Sequence, residues 1–164
     1  MTPTKHVVIY TDGACLGNPG PGGYGVVLKH TRRRKELSGG YRLTTNNRME
    51  LLAAIVALEA LKQLCRVTLS SDSKYVVDAM KLGWAERWRA NGWKRNKRDD
   101  AENPDLWARL LRLCERHDVT FRWVKGHADD PDNERCDELA KEAAARAGLS
   151  VDEGYESRSS SRPA

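Results

Sequence analysis

The most constraining feature is a short apolar run, Val-Val-Ile-Tyr at 7–10, that stops at Asp12-Gly13 and leads into Asn-Pro-Gly-Pro-Gly-Gly at 18–23. An unbroken apolar stretch bounded by turn residues predicts a strand, here over 5–12 and central in its sheet. Residues 18–23 are turn chemistry. Residues 24–29 and 35–43 then read as two more strands, with the basic run Arg32-Arg33-Arg34-Lys35 as their hairpin turn. At 46–62 the period changes: Met49, Leu52, Ala53, Val56 and Leu61 recur at helical spacing.

A fourth strand is predicted over 66–71, short helices over 74–81 and 84–90, and a helix from Asn103-Pro104 with Leu106, Leu110, Leu113 and Cys114 on one face. Residues 118–125 alternate as a fifth strand. Asp130-Pro131 has the form of an N-cap followed by proline at the first helical position, and that last helix is expected to run to about Gly148. The order β-β-β-α-β-α-α-β-α predicts an α/β domain over 1–148 with a mixed five-stranded sheet flanked by helices. Residues 149–164 lack apolar periodicity and are expected to form a disordered tail.

The chain has 164 residues, a one-domain length. No run approaches the roughly 18 apolar residues of a transmembrane helix. The N-terminus has no basic-then-apolar signal, so a cytoplasmic protein is expected. Four cysteines at 15, 65, 114 and 136 form no C-x-x-C pair, which argues against zinc. The net charge is +5, and residues 84–98 alone carry six bases against one acid. Lys94, Arg95, Lys97 and Arg98 in this segment suit phosphates. Its tryptophans, Trp84, Trp88 and Trp93, are expected to pack; Trp84 and Trp88 share a helix face.

Four acids stand in distinctive surroundings: Asp12 in Tyr-Thr-Asp-Gly, Glu50 in Arg-Met-Glu-Leu, Asp72 in Ser-Ser-Asp-Ser and Asp137 in Arg-Cys-Asp-Glu. Asp12 and Asp72 both close predicted strands, where open α/β sheets gather ligands. Each also has a plainer reading. Asp12 can serve a turn. Glu50 fits a capping box with Asn47 as N-cap. Asp137 can be a solvated helix residue. A carboxylate cluster without Cys or His suits Mg²⁺, with Mn²⁺ as a substitute. His127, in Lys-Gly-His-Ala, can carry protons beside such a cluster or simply be exposed.

Five strings occur together in one order: 10–24 (Tyr-Thr-Asp-Gly-Ala-Cys-Leu-Gly-Asn-Pro-Gly-Pro-Gly-Gly-Tyr), 44–51 (Thr-Thr-Asn-Asn-Arg-Met-Glu-Leu), 71–73 (Ser-Asp-Ser), 123–127 (Trp-Val-Lys-Gly-His) and 133–140 (Asn-Glu-Arg-Cys-Asp-Glu-Leu-Ala). The chain thereby resembles the bacterial type 1 ribonucleases H over about residues 5–147. The resemblance implies a ribonuclease H-like fold and an endonuclease that cuts the RNA strand of RNA–DNA hybrids, leaving 3′-hydroxyl and 5′-phosphate ends. It implies a metal site of Asp12, Glu50, Asp72 and Asp137, assisted by His127.

By position, Cys15, Gly17, Asn18, Asn46 and Glu50 would lie along RNA 2′-hydroxyls, with Asn47 beside them. Thr45 and Asn103 would hold a DNA phosphate, and residues 84–98 would grip the hybrid as a basic protrusion. A monomer is expected. Three positions depart from the family pattern: Lys74 stands for a frequent Gln, Leu43 for a frequent Arg, and Asp129-Asp130 for a Gly-His pair. The two carboxylates are expected to raise the His127 pKa. An integrase-type enzyme of the same fold should lack the Gly-Asn-Pro-Gly loop and the protrusion. A dead hybrid-binding module should lack one of the acids.

Overall fold

The computed structural model describes residues 5–126 and 130–161. Its elements are β1 (Lys5–Cys15), β2 (Gly20–His30), β3 (Arg33–Thr44), α1 (Asn46–Glu59), β4 (Cys65–Ser71), α2 (Lys74–Lys81), α3 (Trp84–Ala90), α4 (Pro104–Arg116), β5 (Asp118–Trp123), α5 (Pro131–Ala144) and α6 (Glu153–Ser161). The sheet order is β3-β2-β1-β4-β5. β1, β2 and β3 pair antiparallel, while β4 pairs parallel with both β1 and β5. This is the mixed five-stranded α/β sheet read from the sequence, with α2 and α3 at their expected bounds.

The apolar run does become the centre of the sheet, with Val7 and Ile9 buried on β1 between β2 and β4. α1 is buried along nearly its whole length, from Arg48 to Leu58 apart from Val56, because it lies on β1 and β2 and is covered in turn by α4. Trp107 of α4 is fully buried and meets Tyr75 and Trp88 edge-on, at ring separations of 5.3 and 5.7 Å. Edge-on contact suits the aromatic quadrupole.

Two glycines set how closely the helices approach. A Cβ on Gly13 would lie 2.5 Å from the Glu50 nitrogen, so only glycine lets the first turn of α1 press on β1. Gly25 stands in the same relation to α5, directly beneath the backbone of Cys136 and Ala140.

Several boundaries differ from expectation. β1 runs past Asp12 to Cys15, because residues 12–15 keep pairing with the glycine-rich part of β2. The hairpin turn is Thr31-Arg32, and Arg33, Arg34 and Lys35 already belong to β3. α1 ends at Glu59 rather than 62, and α5 at Ala144 rather than near Gly148. Asp130 caps α5 as expected, accepting from the Asp132 and Asn133 N–H groups. The cap of α1 is Thr45, not Asn47: its hydroxyl accepts from the Arg48 N–H.

The largest difference is at the C-terminus. Residues 149–161 were expected to be disordered, yet Ser150 bridges Tyr41 beside β3 and residues 153–161 form α6. What holds them is polar. Asp152, 7% exposed, binds Arg48 and Thr44, and Glu156 accepts from Nε and Nη2 of Arg42. Ion pairing of this kind leaves no apolar period in the sequence.

Candidate metal centre and nucleic-acid face

The parallel ladder between β1 and β4 ends at Thr11 opposite Ser71. Asp12 and Asp72 are therefore the next residues on adjacent strands, delivered side by side where the ladder stops. Glu50 arrives from above on the first turn of α1, through the close approach at Gly13. One carboxylate oxygen from each of Asp12, Glu50 and Asp72 lies within 4.8 Å of the others. The Gly13 N–H serves two of them, at 2.9 Å to Asp12 Oδ1 and 3.1 Å to Glu50 Oε1.

Asp12 and Glu50 are each only 4% exposed. Burial pushes the Asp12 carboxyl up to about 7, with the charges of Asp72 and Asp137 adding to the rise and a hydrogen bond with Glu50 opposing it. Burial also raises the Glu50 carboxyl well above the usual range, and the Asp12 charge raises it further. Glu50 Oε2 is buried with no hydrogen-bond partner. A buried acceptor without a donor, inside a group of oxygen-only ligands, fits a hard divalent cation. The capping reading of Glu50 fails, since Thr45 occupies the cap and Glu50 bonds to Gly13 instead.

Asp137 projects from α5 near enough for its charge to act on Asp12, but it stands outside the three-carboxylate group and pairs with Lys141 at 2.9 Å. His127 and Asp129 lie outside the described residues, and so does the expected effect of Asp129-Asp130 on the His127 titration. Gly126 passes so close to the site that a Cβ there would lie 2.9 Å from Asp72 Oδ2. Lys74, a departure from the family pattern, sits with its ammonium 4.8 Å from the centre of the Trp123 ring. The Trp123 indole N–H in turn donates to the Asp72 carbonyl at 3.2 Å.

The β1–β2 turn and the start of α1 come together as one surface. The Asn46 N–H donates to Asn18 Oδ1, and the Cys15 thiol approaches the Gly20 and Thr44 carbonyls at 3.4 Å each. Gly17 takes φ +79°, open to glycine at no steric cost. Asn47 is half-buried on the same turn of α1. Asn103, also at positive φ, precedes α4 and is joined to α1 by Arg48 Nη1 at 3.3 Å.

The protrusion is α3 followed by a small loop closed by a Lys94–Asp100 bridge. Trp88 and Trp93 pack against the core as expected, whereas Trp84 is 37% exposed and lines a shallow pocket with Arg87, Asn91 and Arg95. Lys94 pairs with Asp100 at 2.6 Å, and Arg95 with Asp99 at 3.3 Å. Among the described residues, no ion pair is formed by Arg87, Lys97 or Arg98.

Sequence reasoning missed Arg48, Asp105 and Asp152, which join the start of α1 to α4 and the C-terminal segment. Asp152 stands in a polar stretch that gives no signal. Arg48 had one: it is the only basic residue of α1 and stands at the head of a largely apolar helix.

The ribonuclease H family model matches residues 4–145. A ribonuclease H of Syntrophus aciditrophicus is 71% identical over 153 residues, which is 93% of this chain and 88% of that protein. A ribonuclease HI of Synechocystis is 57% identical, covering 91% of this chain and 94% of that one. Among solved structures, LC9-RNase H1, described as a type 1 enzyme with a type 2 active-site motif, superposes with a TM-score of 0.78 at 36% identity, over 99% of this chain and 83% of its own. LC11-RNase H1, solved with an RNA/DNA hybrid, gives 0.63 at 28% identity, over 84% and 96%. Sequence and fold agree, and the chain belongs to the ribonuclease H family.

Proposed function

We propose that this chain hydrolyses the RNA strand of RNA–DNA hybrids at a divalent-cation site formed by Asp12, Glu50, Asp72 and Asp137, leaving 3′-hydroxyl and 5′-phosphate ends. The observation that carries the site is the group of three carboxylates around the unpartnered Glu50 Oε2. Mg²⁺ is the natural occupant, since every ligand is a hard oxygen, and Mn²⁺ is its substitute. When bound, the cations neutralise the clustered charge, activate water and stabilise the leaving oxygen.

The chain's own residues do the rest. Gly13 orients Asp12 and Glu50 through a shared N–H. Asp137 completes the ligand set from α5, with Lys141 balancing its charge. His127 moves a proton beside the site. Cys15, Gly17, Asn18, Asn46 and Asn47 follow the RNA strand, where contact with 2′-hydroxyls tells RNA from DNA. Thr45 and Asn103 hold a phosphate of the DNA strand. Trp84, Trp88, Trp93 and the bases Lys94, Arg95, Lys97 and Arg98 form the face that receives the duplex. The enzyme acts as a monomer in the cytoplasm, and no helix among the described residues is long and apolar enough to cross a membrane.

The test is cleavage of a hybrid labelled on either strand. RNA-strand products bearing 5′-phosphates are expected with Mg²⁺ and none with EDTA. Cleavage that persists in EDTA, or an intact RNA strand beside a cut DNA strand, would overturn the reading.

A further inference from the structure

The guanidinium of Arg48 lies beneath the C-terminal segment, with its side chain 4% exposed. All five of its N–H donors are used. Nε and Nη2 donate to Asp152 at 2.8 and 3.0 Å, Nη1 and Nη2 to Asp105 at 2.9 and 2.8 Å, and Nη1 also to Asn103 Oδ1 at 3.3 Å. Asp152 makes two further bonds, accepting from the Thr44 hydroxyl at 2.7 Å and the Tyr155 N–H at 3.3 Å. Gly154 closes the arrangement from above: a Cβ there would collide with Asp105 Oδ2 and Arg48 Nη2.

We propose that Asp152 is a positioning residue for the DNA-phosphate contact of Thr45 and Asn103, acting through Arg48 and Thr44. The inference rests on the reading of Thr45 and Asn103 given above. Donor accounting supplies the argument. Asn103 has its oxygen fixed by Arg48 and one amide N–H given to the Tyr75 hydroxyl at 3.2 Å, which leaves its second N–H for a phosphate oxygen. The Thr45 hydroxyl accepts from the Arg48 backbone N–H, which leaves its own O–H to donate. Asn103 is thus oriented by the Arg48 guanidinium and Thr45 by the Arg48 backbone, and Thr44, the residue before Thr45, is tied to the same carboxylate as the guanidinium.

Asp105 is 43% exposed on its side chain and Asp152 only 9%. Asp152 is therefore the inner counter-charge. Without it the guanidinium is drawn outward toward Asp105, carrying the Asn103 clamp with it, and Thr44 loses its acceptor. Asp12 and Glu50 are held by Gly13, and the guanidinium donors of Arg48 go to Asp152, Asp105 and Asn103 rather than to a metal-site carboxylate, so substrate binding should suffer and the chemical step should not.

The full-length protein carrying Asp152→Asn, Asp152→Glu, Gly154→Ala or Leu58→Ala is assayed on an RNA–DNA hybrid and on hybrids with a single neutral methylphosphonate at each DNA position in turn. Leu58 is fully buried on α1 and serves as a destabilised control. Asp152→Asn should raise KM about five- to ten-fold on the natural hybrid, the scale of a weakened bond to a charged group. Its kcat should stay near the parent's, the signature of weakened binding alone. Asp152→Glu should recover part of the loss, and Leu58→Ala should lower Tm without moving KM. Gly154→Ala disturbs the same arrangement with every charge retained, and gives the KM readout if Asp152→Asn fails to fold. Among the methylphosphonate positions that raise the parent's KM, Asp152→Asn should show no additional loss at one, the position facing Thr45 and Asn103. An unchanged KM in Asp152→Asn, or a full extra loss at that position, overturns the role of Asp152 alone. If no methylphosphonate raises the parent's KM, the phosphate contact fails and this proposal falls with it.

Discussion

On the proposed metal site, Asp12 and Glu50 carry opposite costs in the metal-free and metal-bound protein. Both are buried, both have raised carboxyls, and Glu50 holds an oxygen that meets no donor. Asp12→Asn keeps the size and the Gly13 contact while removing one charge from the group. Cleavage in Mg²⁺ should fall by several orders of magnitude, while the melting temperature without metal should rise, because repulsion is relieved. Assay and thermal melt on one sample check both halves; a melting temperature that falls would show that the Asp12 charge is stabilising. The sequence made these residues legible as types, since Asp before Gly and Asp after an apolar strand are visible along the chain. It misplaced Asp12 at the end of its strand and offered a capping box as the plainer reading of Glu50. The actual reasons are pairing facts, the register of β1 on β4 and the approach of α1 at Gly13, and no local string encodes them.

Elements set by apolar period or by a local cap were legible, and those set by long-range ion pairs were not. α2 and α3 stand at their expected bounds, and α4 and α5 begin where Pro104 and Pro131 announce them. The C-terminal segment is held by Arg48–Asp152 and Arg42–Glu156, both invisible to a search for hydrophobic period. Removing residues 149–164 should therefore be costly. It strands a buried guanidinium with only the outer carboxylate, and leaving a buried charge short of its partner costs roughly 3–5 kcal/mol. A drop in Tm of about ten degrees is expected for a chain of this size, and an unchanged melt would mean that the segment is dispensable. The basic protrusion calls for a finer division than its sequence suggests. Lys94 and Arg95 already have acidic partners, whereas Lys97 and Arg98 form no ion pair among the described residues. Replacing Lys97 and Arg98 by Ala should reduce the log–log salt slope of hybrid binding by about 0.9 for each phosphate no longer neutralised. Replacing Lys94 and Arg95 should reduce it less, because a phosphate must displace an existing partner. Equal slopes for the two double variants would show that the ion pairs do not matter to binding.

For the whole molecule, the carboxylate cluster couples folding to pH and, through the proposed cation site, to metal. The Asp12 carboxyl ordinarily titrates near 3.8 and in the folded chain near 7, so the folded state holds its proton more tightly than the unfolded state. Its contribution to stability is therefore fully present below about pH 4 and is lost as the pH rises through 7. At about 1.4 kcal/mol per pKa unit the loss is at most roughly 4 kcal/mol. Glu50, shifted in the same direction, adds to it. Asp105 and Asp132 run the other way: Arg48, and Arg34 with Lys29, hold their carboxyls below the usual range, so their stabilisation is lost toward acid. The contribution of the site is isolated by subtracting Asp12→Asn from the parent. In EDTA, the Tm difference between them should widen in favour of the variant from pH 5 to pH 8. On the proposed Mg²⁺ site the cation would bind the deprotonated carboxylates of the folded state, so it should raise the parent's Tm by more at pH 8 than at pH 5 and should close much of that gap. A gap that stays constant with pH in EDTA would show that Asp12 titrates normally. A gap that Mg²⁺ leaves open at pH 8 would show that the cation does not bind where the three carboxylates meet.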